Sequence, residues 1–352
     1  MLMSWRGSCA LALGLGYLSF IGCGDDASSS AGGAADGGGG SVNSGGSGGS
    51  GAISQGGAGE GGAVQGGEGG AGGDLTLVDP LADVPAVTLA LGDFQFTEGT
   101  VWLPALGVLR FSDIPASQIL ELDPATGNST VWREPSNQTN GNGLAPNGDI
   151  IMCEHAARRV SRSSAAGAPN VTDVATNYMG MAFNSPNDVI VRSDGQMYFT
   201  DPPYGLGGGS QEIPWRGVYR VDTSGGVSLV GDEYGQPNGI ALSPDESKLY
   251  VSDSQDGGLF VYDVAPDGST GARSLLIDAP PSDGMAVDDA GNLYLTTSAG
   301  VEVYRADGTA WGTLAVPEQP ANCTFGGEGR RELFITARTS LYRVQLNVPG
   351  LP

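Results

Sequence analysis

The fold is decided by Pro237-Asn238-Gly239-Ile240-Ala241-Leu242, a turn through Pro244-Asp245, and Lys248-Leu249-Tyr250-Val251-Ser252-Asp253. Two short β-branched and aromatic runs flank a Pro/Asp turn, the signature of an antiparallel strand pair. The arrangement returns at Asp188-Val189-Ile190-Val191 with Gln196 to Asp201, and at Gly284-Met285-Ala286-Val287 with Asn292 to Thr296. Fainter copies run from Gly143 to Glu154 and from Cys323 to Thr336, and a first copy runs from Gly99 to Asp113. Third runs such as Leu259 to Asp263 and Gly217 to Val221 follow many of them. Repeats of roughly 45 residues with three or four strands each have the period of propeller blades. The last unit, Asn322 to Leu346, offers only three strands, and Val87 to Leu91, upstream of the first unit, is free to complete it. Closure of that kind removes exposed sheet edges. The expectation is an all-β fold: a six-bladed β-propeller over residues 75–352, its N-terminal strand closing the last blade.

Upstream of the repeats the chain changes character. Arg6 precedes an apolar run from Cys9 to Ile21, too short for a comfortable span of about 20 residues. It ends in Phe20-Ile21-Gly22-Cys23, which resembles a bacterial lipoprotein signal, with residues 1–22 removed and Cys23 lipidated. From Gly24 to Gly73, 23 of 50 residues are glycine and none is aromatic. Such a stretch buries too little apolar area to offset its ordering entropy, so residues 23–74 read as a flexible tether after the lipidated Cys. The protein is therefore expected to be exported and lipid-anchored to the bacterial cell envelope, touching the membrane through its anchor alone.

Composition narrows the chemistry. The 352 residues carry a formal charge of −23, and 15 basic against 33 acidic residues lie beyond Asp74, a formal −18. Such a domain repels phosphate backbones, which excludes nucleic acid as a partner. A single histidine, His155, leaves little room for a multi-His zinc site, and a Ser-His-Asp hydrolase would have to use it as the base. Lys248 is the only lysine, so Schiff-base chemistry would rest on it alone. Cys153 and Cys323 sit in apolar runs and read as buried packing, with a disulfide the lesser alternative.

Aligning the units on their first strands places one polar residue in a common slot: Glu98, Asn142, Asn187, Asn238, Asp283 and Asn322, at intervals of 44, 45, 51, 45 and 39 residues. In a propeller the first strands line the central channel, so these side chains should converge on one mouth of it. Two carboxylates and several amide oxygens form a hard-oxygen set suited to Ca²⁺ or Mg²⁺. Asn-Gly and Asp-Gly are also common turn pairs, which explains single members of the series. It explains Glu98-Gly99 less well, since Glu has no special turn propensity.

Thr97-Glu98-Gly99-Thr100-Val101-Trp102, Phe111-Ser112-Asp113-Ile114-Pro115, Ser185-Pro186-Asn187-Asp188-Val189 and Phe199-Thr200-Asp201-Pro202-Pro203-Tyr204-Gly205 together resemble the senescence-marker-protein/gluconolactonase family. Pro237-Asn238-Gly239, Tyr250-Val251-Ser252-Asp253, Asp283-Gly284-Met285 and Ile335-Thr336-Ala337-Arg338 extend the resemblance from about Gly92 to Leu346. Thr100 and Ser282 depart from prolines common in the family. The resemblance implies a six-bladed propeller with one divalent cation at the channel mouth, Ca²⁺ foremost and Mg²⁺ or Zn²⁺ as alternatives. It puts the ligands on Glu98, Asn187, Asn238 and Asp283.

The reaction so implied is metal-dependent hydrolysis of a small-molecule lactone, most directly a sugar lactone. The cation would polarise the carbonyl while a carboxylate takes the proton of the attacking water. Asp283 holds the family's acid/base position. Asp188 is the second candidate, with strand-start capping as its plain alternative. Asn187, Asn142, His155 and Tyr204 are the candidate substrate contacts, the segment from Cys153 to Arg159 resembling one in gluconolactonases. Tyr204 and Asp201 can equally serve turn structure. Two other readings stay open: a surface-tethered propeller that binds without catalysis, and a phosphotriesterase-type hydrolase on the same ligands.

Overall fold

Strand residues alternate between two faces, and here each face of a sheet meets a neighbouring sheet. In the run Met197-Tyr198-Phe199, Met197 and Phe199 pack with Ile151 and Cys153 on one side, while Tyr198 packs with Ile240 and Val251 on the other. The computed structural model describes residues 74–351. The expected signal peptide over 1–22, Cys23 and the Gly-rich tether up to Gly73 lie outside the described residues.

The described residues form a six-bladed β-propeller of four-stranded antiparallel sheets. The first blade is Thr97–Leu103, Val108–Asp113, Gln118–Asp123 and Asn128–Arg133. The second is Thr139–Leu144, Asp149–Glu154, Arg159–Ser164 and Thr172–Ala175; the third is Val189–Val191, Met197–Asp201, Gly217–Val221 and Val227–Gly231. Pro237–Leu242, Lys248–Asp253, Leu259–Asp263 and Ser274–Ile277 make the fourth. The fifth is Ser282–Val287, Leu293–Thr297, Gly300–Tyr304 and Ala310–Leu314. Pro320–Gly326, Glu332–Ala337 and Ser340–Gln345 supply three strands of the sixth. Thr88–Leu91 completes it, pairing Thr88 with Arg343 and Leu89 with Tyr342. The ring is thus closed by the N-terminal strand, as the sequence pattern requires.

Apolar clusters fill the seams between blades, one at each interface. That is why second strands such as Met197–Asp201 are buried at every position, whereas an outer strand such as Asn128–Arg133 is mostly exposed. Cys153 and Cys323 are both buried free thiols in these seams, as their apolar surroundings suggest.

The first strands crowd together around the axis. A Cβ on Gly99 would lie 1.8 Å from the Asn140 carbonyl oxygen of the next blade, and Gly99 has φ +56°. Only glycine meets both conditions. That close approach brings side chains far apart in sequence into one mouth.

Candidate active site

Five of the first strands carry a bulge just inside the mouth, and the register on either side of it identifies the equivalent residues. Thr97 pairs with Asp113, Thr139 with Glu154, Pro237 with Asp253, Ser282 with Thr297 and Pro320 with Ala337. The residues that follow these partners are Glu98, Asn140, Asn238, Asp283 and Ala321. In the third blade Asn187 occupies the position, donating its N–H to Thr200 O. Glu98, Asn140, Asn187, Asn238 and Asp283 all line one cavity of about 460 Å³ at the channel mouth.

Two members of the expected slot are therefore corrected. Asn142 sits two residues further down its strand, opposite Met152, and its amide donates to Gly99 O at 2.7 Å and Ser112 Oγ at 2.9 Å. It is not a wall of the mouth and makes no candidate substrate contact. The sequence offers two Asn-Gly pairs in succession, Asn140-Gly141 and Asn142-Gly143, and only strand register distinguishes them. Asn322 is one residue too deep, because Ala321 fills the slot in the sixth blade.

Asp188 keeps the place beside Asn187 that the sequence gives it. It and Asn322 hold the position after the slot, where the other blades have Gly99, Gly141, Gly239 and Gly284. Asp188, Asn322 and Asn142 line a second cavity of about 280 Å³ further along the channel. The Asn322 Oδ1 accepts the Cys323 N–H at 2.8 Å. Asp188 accepts from its own Val189 N–H at 2.9 Å. It belongs to the floor beneath the mouth, so Asp283 remains as the acid able to reach a substrate there.

The remaining walls come from loops at the same end. Asn140 Nδ2 donates to Asn187 Oδ1 at 2.6 Å, and Asn187 Nδ2 donates to Asn238 Oδ1 at 2.7 Å. His155 lines the cavity with Nε2 3.4 Å from Asn140 Nδ2. The loop from Pro202 to Arg216 brings in Tyr204, whose hydroxyl bonds to Ser254 Oγ. This loop rests on the histidine: a Cβ on Gly205 would meet His155 Cβ at 2.5 Å. Phe96, Ile114 and Pro281 add apolar surface to the rim. Asp201 belongs to the loop framework, accepting the Asn184 N–H at 2.8 Å.

Burial dominates the electrostatics. It pushes the Glu98 carboxyl well above the usual carboxylate range, and the Asp283 and Asp188 charges push it further. Asp283 is raised by burial too; the Asn238 side chain opposes the shift, the Asp188 charge adds to it and the Arg338 charge opposes it. Burial takes Asp188 up to about 7 and His155 down to about 4, so the imidazole is neutral near pH 7. The ion pairs among the described residues involve none of these three acids. Carboxylates that crowd together away from water and repel one another, with no Arg or Lys in ion-pair contact, are costly unless a cation joins them. With the carboxamide oxygens of Asn187 and Asn238 beside them, the donor set fits a hard divalent ion.

Asn140 is the mouth residue that sequence reasoning missed. The Thr139-Asn140 step, equivalent to Thr97-Glu98, was the available signal.

Comparison with known proteins agrees with this geometry. The SMP-30/Gluconolactonase/LRE-like region matches residues 96–339. A gluconolactonase of Zymomonas mobilis is 33% identical over 306 residues, covering 78% of this chain and 85% of its own. A pentonolactonase of Haloferax volcanii is 29% identical over 255 residues, covering 68% and 80%. Among solved structures, a gluconolactonase of Xanthomonas campestris superposes with a TM-score of 0.71 at 31% identity, covering 77% of this chain and 93% of that one.

Proposed function

The chain belongs to the SMP-30/gluconolactonase/LRE-like family, and from that premise we propose that it is a metal-dependent lactonase acting on a small sugar lactone. The observation that carries the reading is the pairing of buried Glu98 with half-buried Asp283 at one mouth, neither in an ion pair among the described residues, with Asn187 and Asn238 beside them. Relatives named for gluconolactone and pentonolactone hydrolysis support the reaction type.

Glu98, Asn187, Asn238 and Asp283 would hold one divalent cation, for which Ca²⁺ is the natural choice with this oxygen set. When bound, it supplies a Lewis acid for the lactone carbonyl and charge for the developing oxyanion. Asp283 takes a proton from the attacking water as the oxygen bonds to the carbonyl carbon. As the acyl–oxygen bond of the ring breaks, Asp283 returns that proton to the departing alkoxide. Neutral His155, Asn140, Tyr204 and Ser254 present donors and acceptors to a hydroxyl-rich substrate. Phe96 and Ile114 cover the apolar edge of the ring and limit water.

The test is turnover of aldonolactones, acyl-homoserine lactones and a fluorophosphate by the propeller domain, with EDTA and with restored Ca²⁺. Aldonolactone opening that EDTA abolishes and Ca²⁺ restores is the expected result. A folded, Ca²⁺-supplied protein that opens no lactone refutes the reading, and turnover of the fluorophosphate alone moves the reaction to phosphorus.

We further propose, from the Phe20-Ile21-Gly22-Cys23 segment, that the domain is held outside the cytoplasm by a lipid on Cys23 through the Gly-rich tether. Labelled palmitate should enter the wild type and not Cys23→Ala; equal release of both from membranes refutes the anchor.

A further inference from the structure

The carboxamides at the mouth all run in one direction. Asn140 Nδ2 donates to Asn187 Oδ1 at 2.6 Å, and Asn187 Nδ2 donates to Asn238 Oδ1 at 2.7 Å. Behind the first donor, His155 Nε2 lies 3.4 Å from Asn140 Nδ2. Asn140 is the donor at the head of this series.

This arrangement has a consequence for each amide's orientation. Rotating Asn187 by half a turn would set its NH₂ against that of Asn140 and its oxygen against that of Asn238. Each amide is thus locked by the one before it. A carbonyl oxygen has two lone pairs, so accepting one N–H leaves another for a cation.

We propose that Asn140 is a positioning residue for the cation site: it ligates nothing itself, yet it fixes the rotation of Asn187 and, through it, of Asn238, so that both present oxygen and not nitrogen. The inference rests on the reading that Glu98, Asn187, Asn238 and Asp283 hold a divalent ion. Asn140 is 5% exposed and its backbone oxygen is anchored by Ser112 Oγ at 2.8 Å, so the donor is held where it works.

The test uses Ca²⁺ calorimetry and Tb³⁺ luminescence lifetimes in H₂O and D₂O, which count water molecules bound to the ion. Asn140→Leu removes the donor without adding charge. It should bind Ca²⁺ about tenfold more weakly, in the range found for groups that orient metal ligands, and its bound Tb³⁺ should gain about one water as an amide oxygen is lost. Asn140→Asp, nearly isosteric, covers the case in which the leucine variant does not fold. A carboxylate cannot donate to Asn187, so positioning demands weaker Ca²⁺ binding, whereas added negative charge alone demands tighter binding. Wild-type affinity and water count in a folded Asn140→Leu, or tighter binding in Asn140→Asp, overturns the positioning role while the metal site stands. A wild-type protein that binds neither ion overturns the metal site and the positioning role with it.

Discussion

Glu98 and Asp253 are both buried acids near the same end of the channel, 3% and 2% exposed, and their surroundings differ completely. Asp253 ends the second strand of the fourth blade and accepts the N–H groups of Gly235, Gln236, Gln255 and Asp256 at 2.7, 2.9, 2.9 and 3.1 Å. Asp113 does the same for Gln95 and Phe96, at 3.0 and 3.1 Å, and Asp201 for Asn184. Each of these acids ties down the backbone that leads into a mouth residue: Glu98, Asn187 or Asn238. Glu98 receives only its neighbour Gly99 N–H at 3.0 Å, while facing the Asp283 and Asp188 charges. The lesson is that burial alone does not separate framework from function. A buried acid whose lone pairs are met by backbone amides is a brace; one left facing other acids is prepared for a ligand.

Three substitutions and one titration can break that contrast. The largest effect should come from Asp283→Asn, which keeps an oxygen for the cation but cannot accept the water's proton. Turnover should fall by roughly 10²–10⁴ with much of the Ca²⁺ affinity retained, measured by lactone opening with a pH indicator and by calorimetry. Wild-type turnover in this variant would remove Asp283 from the reaction.

Glu98→Gln comes next. It should weaken Ca²⁺ binding, and excess Ca²⁺ should partly restore activity, because its proposed role is to hold the ion. Asp253→Asn should behave oppositely. It loses the acceptor for Gly235 N–H and places a donor there, a cost of about 1–3 kcal/mol, seen as a lower melting temperature with Ca²⁺ affinity little changed. If Asp253→Asn weakens Ca²⁺ binding as much as Glu98→Gln, the division into braces and ligands fails.

The smallest effect is the pH dependence of the metal-free domain. Burial raises Asp188 and Asp201 to about 7 when folded, against an ordinary aspartate value of about 3.9. Their contribution to stability is full below that ordinary value and disappears as pH rises through 7. His155, lowered to about 4, works the other way, costing stability as pH falls below about 6.5 because only the unfolded ring takes the proton. Glu98 and Asp283 are raised as well, so the acids outnumber the single imidazole. In EDTA the melting temperature should be higher at about pH 6 than at about pH 8, and Ca²⁺ should stabilise most at the higher pH, since it competes with protons for the same oxygens. A melting temperature in EDTA that climbs toward pH 8 would contradict these assignments.

Much of this was legible in the chain. Strand pairs, their period and the missing fourth strand of the last unit follow from hydrophobic alternation and turn chemistry, which are local. Glu98, Asn187, Asn238 and Asp283 were legible because the repeat places equivalent residues at one radius, and a glutamate in a turn-like slot has no local explanation. Asn142 and Asn322 were misplaced by one or two residues for a nameable reason. The first strands bulge at the mouth, and a bulge changes which residue faces the axis without leaving a mark in composition.

The sequence by itself therefore determined the all-β repeat, the ring closure and the residue types available for chemistry, because each depends on periodicity and side-chain identity. Tertiary structure alone decided which of two adjacent Asn-Gly pairs lines the mouth cavity, that Asp188 and Asn322 lie beneath it, and that the Asp113 and Asp253 carboxylates are consumed by backbone amides. Those outcomes depend on register and on contacts between blades tens of residues apart, where a shift of one residue exchanges a wall of the site for its floor.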